Sequence, residues 1–476
     1  MRAVKANRPS PPDPGDESES VRRLKAQVEA LRKDVDALAS QLRETEGSFG
    51  WLLVRKGQQL VNALAPKGSR RRRATAAVLS GIRPFVRDGF RTTVRTRVAD
   101  AGENRRLAAA CARAGERPEG ELRSVLFVSG SFGAMERYRC ANPREQLSLA
   151  GVRTKLMRGG GLGVARQAGR HDAVVLHRIA FTPDVAEVVE AARKAGVPVL
   201  FDIDDLVFDP GLCDRIDALE WMAPSEAALF RQSFEAQRRT LVSCDGAIVP
   251  TEPLAEAVRA LGVRSWIHPN APSLDLLELS REARRHRRVE PGRVVLGYAS
   301  GSRTHNRDFA EVAPALLRLF AELPALELHV IGYLDLDSAW DGLRSRVKTL
   351  EFVPWQRLPA LLATFDVNLA PLEQGNPFCE AKSELKWVEA AAVGVPTVAS
   401  PTAPFRTAIR HGETGFLAST TEEWVDALRL LATDPVRRQA VGAAAAERLD
   451  ADYDPGKLGA ALVATLAGLR RELPRK

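Results

Sequence analysis

The sequence predicts an α/β protein of two successive doubly wound, Rossmann-like domains, preceded by a coiled coil and a basic helical segment. Three observations lead there. From Arg123 to about residue 450, apolar runs of strand length alternate with helical stretches such as TPDVAEVVEAARKAG and EPLAEAVRALG. The runs are almost continuously apolar, as strands of a parallel sheet covered on both faces must be. A charged stretch, SREARRHRRVEPGR at 280–293, interrupts the alternation near its middle. A chain of 476 residues is also too long for one domain.

Residues 1–20 are rich in Pro, Glu and Ser and are expected to form a disordered tail. Over 21–46, Val21, Leu24, Val28, Leu31, Val35, Leu38 and Leu42 alternate three and four apart, with Val at a and Leu at d. That pattern suits a parallel two-stranded coiled coil and hence a homodimer; a single helix packed on its own domain is the other reading. Gly47 and Gly50 end the pattern.

Residues 47–121 form a basic amphipathic or linker segment. Between Trp51 and Val98 there are twelve Lys/Arg and one acid, Asp88, so this stretch carries +11 and leaves −2 for the rest of a chain of net charge +9. Trp51, Leu52, Leu53, Leu60, Val61 and Leu64 give it an apolar side flanked by cations, which suits an anionic membrane surface. A solvated basic linker fits as well. Trp51, Phe85 and Phe90 are too sparse to stack bases, so no nucleic-acid partner is expected.

The first α/β domain spans 122–278, with strands read in RSVLFVSG, VRTKLM, DAVVLHR, VPVLFDIDD, DGAIVPT and SWIHPN. A linker covers 279–291. The second domain spans 292–450, with strands in VVLGYAS, ELHVIG, LEFVP, DVNLAPL, PTVAS and GFLAS, and 451–476 reads as a closing helix.

Several classes are disfavoured. The five cysteines are scattered and never form CxxC, which argues against a disulfide framework or zinc knuckle. No HExxH occurs. The first twenty residues hold no apolar run, and no stretch of eighteen apolar residues occurs, so neither a secretory leader nor a membrane span is expected. The expected location is the cytoplasm, with the inner membrane face as the place for the basic segment.

The stretch most informative about chemistry is NPFCEAKSELKWVEAAAVGVPTVAS at 376–400. It reads as a loop after a strand, a helix beginning near Lys382–Ser383 with Ser383 as N-cap, and a GVP turn into the next strand. In open parallel sheets ligands bind beyond the carboxyl ends of the strands, where a helix start favours an anion. Lys386 and Glu389, three apart, share a face of an otherwise apolar helix. The lysine suits a diphosphate and the carboxylate a ribose diol; an ordinary surface ion pair is the plain alternative.

ELKWVEAAAVGVPTVAS with the later HGETGFLA resembles the donor site of family 4 glycosyltransferases, which have the GT-B fold. GYASGSRTHNRDFAEVAPAL (297–316) resembles the start of the same domain, and LFVSG, RYRCANPREQLSLAGV, FDIDDLVF and CDGAIVPTEPLAEAVRALGV resemble the acceptor domain. The similarity covers residues 123–450, about 70% of the chain.

The resemblance implies that Glu389 holds the donor ribose and Lys386 the diphosphate, with Lys382 and Ser383 also at the donor. Gly301 and Ser302 would let backbone approach phosphate, and Arg303 and His305 would follow in that loop. Many members carry a second glutamate eight residues before the first, where this chain has Ala381. The resemblance implies transfer of a sugar from a nucleotide-sugar to a glycan or lipid-linked glycan, with retention, no metal and no cofactor. A nucleotide-sugar 2-epimerase and a non-catalytic assembly scaffold are the alternatives.

In the first domain, Arg137 and Arg139 are expected to clamp an acidic or lipid-phosphate acceptor, unless RYR is simply a solvated helix face. His177 ends the strand VVLH, where a histidine of related retaining enzymes touches the transferred sugar; a structural histidine is the alternative. Asp202, Asp204 and Asp205 in FDIDD form a DxD, the metal–diphosphate motif of a different transferase fold. A second domain with its own anion site makes that use redundant, and cleft-lining or structural roles are expected.

Overall fold

The computed structural model describes residues 100–472, apart from 116, 118–120, 160–161, 217–218, 220–221, 223, 288–289, 291 and 302–305. The tail, the heptads of 21–46 and the basic stretch up to residue 99 therefore lie outside the described residues. Among those described, no helix is long and apolar enough to cross a membrane.

Two six-stranded parallel sheets carry the structure, as the alternation of runs predicts. The first has β1 (Ser124–Ser129), β2 (Arg153–Arg158), β3 (Ala173–His177), β4 (Val199–Asp202), β5 (Gly246–Val249) and β6 (Ser265–Ile267), ordered β2-β1-β3-β4-β5-β6. The second has β7 (Val294–Ser300), β8 (Leu326–Gly332), β9 (Val347–Leu350), β10 (Val367–Ala370), β11 (Thr397–Ala399) and β12 (Phe416–Leu417), ordered β12-β11-β10-β7-β8-β9. In the first sheet β3, β4 and β5 are buried along their whole length, because helices cover both faces. The edge strand β2 instead carries exposed residues.

Strand order reverses between β1 and β3 in one sheet and between β10 and β7 in the other. Such reversals leave crevices at the carboxyl ends of the flanking strands. Those ends are Ser129 and His177 in the first sheet, Ala370 and Ser300 in the second.

Two contacts tie the domains together. The short helix Pro377–Ala381 belongs to the second domain by sequence, yet Phe378 and Ala381 pack into the core of the first sheet. Phe378 meets Phe234 edge to face, centroids 6.4 Å apart. The closing helix Pro455–Glu472 also returns to the first sheet, where Leu462, Val463, Leu466 and Leu469 pack with Val125, Phe127 and Val175. Burial of each such side chain contributes about 1.5–3 kcal/mol. Gly459 permits the approach, since a Cβ there would lie 2.1 Å from the Gln146 carbonyl oxygen.

The start of the site helix differs from the expectation. The chain breaks at Lys382–Glu384, and the helix runs Leu385–Ala392 with Glu384 as N-cap. Ser383 is not the cap because its hydroxyl is spent elsewhere, accepting from Asn270 Nδ2 at 2.9 Å. The Glu384 carboxylate accepts from the Tyr453 hydroxyl and does not turn back on its own helix.

Candidate functional site

On the second sheet, Lys386 and Glu389 stand on one face of Leu385–Ala392, as their spacing requires. Lys386 Nζ donates to the carbonyl of Ala299, next to the end of β7, and lies 5.1 Å from the Tyr298 ring centroid. Burial lowers its pKa to about 8. Among the described residues, none apart from its chain neighbours has an atom within 4 Å of a Cβ placed on Gly301. Ser302, Arg303 and His305 fall in a stretch outside the described residues.

Lys382 reaches the same crevice from the other side of the break. Its Nζ lies 3.1 Å from Asp308 Oδ2, and this carboxylate holds the ammonium above its usual pKa against the opposing effect of burial. Asp308 Oδ1 accepts from the Glu373 backbone N–H at 3.0 Å and from Cys379 Sγ at 3.2 Å. Asp308 is absent from the residues singled out above. The only sequence signal was an acid beside Phe309 at the start of a helix.

Ala381, where the family resemblance leads one to expect a second glutamate, offers no side-chain polar group. Its carbonyl accepts from Thr251 Oγ1 at 2.9 Å and its methyl is buried in the first domain.

On the first sheet, His177 is fully buried at the end of β3. Its Nδ1 lies 3.1 Å from Ser129 Oγ and 3.4 Å from Ser131 Oγ. Nε2 has no hydrogen-bond partner among the described residues. Burial lowers the pKa to about 3, so the ring is neutral near pH 7. The next residue, Arg178, has φ 43°, the one positive-φ non-glycine among the described residues.

The expected acceptor clamp is not assembled. Arg137, Tyr138 and Arg139 lie in a π-helical turn, Arg137–Ala141, and face three different partners. Arg139 is 0% exposed: Nε and Nη2 meet Asp202 Oδ1 and Oδ2 at 2.8 and 2.9 Å, and Nη1 donates to the His268 carbonyl at 2.7 Å. A guanidinium so enclosed cannot also hold an acceptor, and removing one member of such a buried pair costs about 3–5 kcal/mol. Arg137 stacks on Trp355 of the second domain, 3.0 Å from the ring centroid, and donates to Ser273 Oγ at 3.1 Å. Tyr138 donates its hydroxyl to Glu389 Oε1 at 2.6 Å.

The FDIDD carboxylates are occupied by arginines. Asp202 has Arg139, Asp204 has Arg178, and Asp205 lies 3.5 Å from Arg178. Against the cost of burial, Arg178 holds Asp204 below the ordinary carboxylate range.

Residues 293–434 match the family described as glycosyl transferases group 1. The phosphatidyl-myo-inositol mannosyltransferase of Mycobacterium leprae (strain TN) is 29% identical over 201 residues, 40% of this chain and 52% of that protein. The chain thus spans about half the length of the curated relative it matches. Sucrose-phosphate synthase from Thermosynechococcus elongatus superposes with a TM-score of 0.50 at 14% identity, over 73% of this chain and 99% of that one. Anabaena Alr3699/HepE in complex with UDP-glucose superposes at 0.49, with 18% identity over 72% of this chain and 99% of the other.

Proposed function

We propose, for a chain with the GT-B fold whose residues 293–434 form a glycosyl transferases group 1 domain, that it moves a sugar from a nucleotide-sugar donor to a glycan or lipid-linked glycan of a cell-surface polysaccharide. The observation that carries this reading is the pair Lys386 and Glu389, half-buried on one face of Leu385–Ala392 where β7 and β10 diverge.

Lys386 and Lys382 supply positive charge to the donor diphosphate, stabilising the leaving group as the glycosidic bond breaks. Glu389 accepts from the ribose hydroxyls. Metal-independent transfer is supported by these two cations and by the arginine partners of Asp202, Asp204 and Asp205. The neutral ring of His177, with Nε2 unpartnered, suits a contact to the transferred sugar in a retaining reaction. Water kept out of the crevice would spare the donor from hydrolysis. The heptads of 21–46 and the +11 segment support a homodimer on an anionic membrane surface.

Calorimetric titration of the full chain with UDP-, GDP- and dTDP-sugars tests the reading, followed by product analysis with and without a glycan acceptor. Saturable binding and acceptor-dependent transfer support it. Conversion of a free donor without acceptor points to the 2-epimerase instead, and no binding to any donor overturns the reading.

A further inference from the structure

The nucleotide site contains a residue from the opposite domain. Glu389 stands on the second domain's helix, yet the hydrogen bond to its carboxylate comes from Tyr138, 251 positions earlier, on the first domain's π-turn. Tyr138 is buried, so its hydroxyl has no solvent alternative. A carboxylate accepts at two oxygens, and Tyr138 occupies Oε1 at 2.6 Å.

The turn that delivers Tyr138 is anchored on both sides of it. Arg137 stacks on Trp355 of the second domain. Arg139 is locked to Asp202 at the end of β4 and also donates to Asn270 Oδ1 at 3.1 Å. Asn270 Nδ2 in turn donates to Ser383 Oγ, three residues before Lys386. A π-turn is a rare local geometry that recurs at functional sites. Here it aims three successive side chains at Trp355, Glu389 and Asp202.

We infer that Tyr138 is a positioning residue of the nucleotide site, aiming the Glu389 carboxylate at the ribose only while the first domain's π-turn is seated against the second domain. The role rests on the reading of Glu389 as the ribose contact. It makes donor binding depend on the packing of the two domains, since the acceptor domain supplies one hydrogen bond of the donor site.

Charge supports the same role. Burial pushes the Glu389 carboxyl up, while the Tyr138 hydrogen bond, Lys386 and Arg137 pull it back. Among the described residues, those three are the titratable and charged groups that face it. Deleting the Tyr138 hydroxyl raises the Glu389 pKa further, and the ionised form is the one that accepts from a ribose. Affinity in Tyr138→Phe therefore begins to fall at a higher pH than in the parent as the solution is acidified. Lys386, at about 8, weakens binding on the alkaline side in both proteins.

The test is calorimetric titration of UDP and GDP into the full-length parent, Tyr138→Phe, Glu389→Gln and the double variant, from pH 5 to 8. Expected are a roughly tenfold loss for Tyr138→Phe near neutral pH, an acid limb displaced upward in pH, and no further effect of Tyr138→Phe in the Glu389→Gln background. Parent-like affinity overturns the role. So does a uniform loss with an unchanged pH profile, or an equal loss in both backgrounds, since each marks a merely structural tyrosine. Binding of neither nucleotide to the parent overturns the transferase reading itself, and the role of Tyr138 with it.

Discussion

Asp308 Oδ2 lies 3.1 Å from Lys382 Nζ, while its other oxygen accepts from the Glu373 backbone N–H at 3.0 Å. One buried carboxylate thereby fixes both Lys382 and the loop after β10. Asp308→Ala leaves that N–H and the ammonium without their acceptor. A loss of about 1–3 kcal/mol in stability is expected for the unsatisfied group, read from urea unfolding, together with weaker donor binding read by calorimetry. Asp308→Asn should recover part of the stability, since its side-chain oxygen still accepts.

Glu389→Ala and Lys386→Ala should each nearly abolish transfer while the protein stays folded. Each removes a hydrogen bond to a charged group, about 1.5–3 kcal/mol of donor affinity, or roughly 10- to 150-fold in Kd. Calorimetry with the donor found in the screen measures this. Parent-like turnover in either variant would remove that residue from the site.

Transfer should persist in EDTA if, as proposed, Lys382 and Lys386 supply the positive charge for the donor diphosphate. If EDTA stops the reaction and Mn²⁺ or Mg²⁺ restores it, a metal supplies the charge assigned here to Lys382 and Lys386.

His177 has a folded-state pKa of about 3 against 6.5 for the free side chain. Its folded value is depressed, so between those limits the unfolded chain binds the extra proton. Stability is thus retained above pH 6.5 and lost as pH falls toward 3, by up to about 1.4 kcal/mol per pH unit from this one group. His268, also lowered to about 3 by burial, adds a similar slope. Asp202, raised to about 6, opposes both because its folded form takes up a proton first. Urea unfolding from pH 7 to 4.5 should show a shallower acid decline in His177→Asn than in the parent. Parallel curves would show that the imidazole is not buried in its neutral form.

A chain shortened at its N-terminus should begin no later than Asp100. The helix over 100–114 supplies Glu103 and Asn104 to the buried Arg144, at 3.0 and 2.5 Å, and Asp100 to Arg158 at 2.7 Å. The full chain is expected to be dimeric and to sediment with anionic vesicles, less so as salt rises. The shortened chain should be monomeric, indifferent to vesicles and still able to bind donor. Analytical ultracentrifugation and vesicle sedimentation check this; a shortened chain that stays dimeric would place the self-association elsewhere.

Much of the architecture was legible because its signals are local. Apolar runs such as AVVLH and GAIV mark strands that must be covered on both faces, and the charged stretch at 280–293 separates the two sets. Lys386 and Glu389 were legible because helical periodicity alone puts residues three apart on one face. The start of the site helix at Leu385 was not legible, since Ser383 has the chemistry of an N-cap and only Asn270, far away in the chain, draws its hydroxyl off.

Arg137, Tyr138 and Arg139 show the same division. As a sequence they are two cations around an aromatic ring, equally suited to a solvated face or an anion clamp. The tertiary structure turns Arg139 inward to Asp202 and Tyr138 across to Glu389. The composition and spacing of a segment determine which faces it buries. The partner of each buried polar group is decided only when segments distant in sequence meet, because a charge removed from water must find its counter-charge or hydrogen bond among whatever the fold brings within reach.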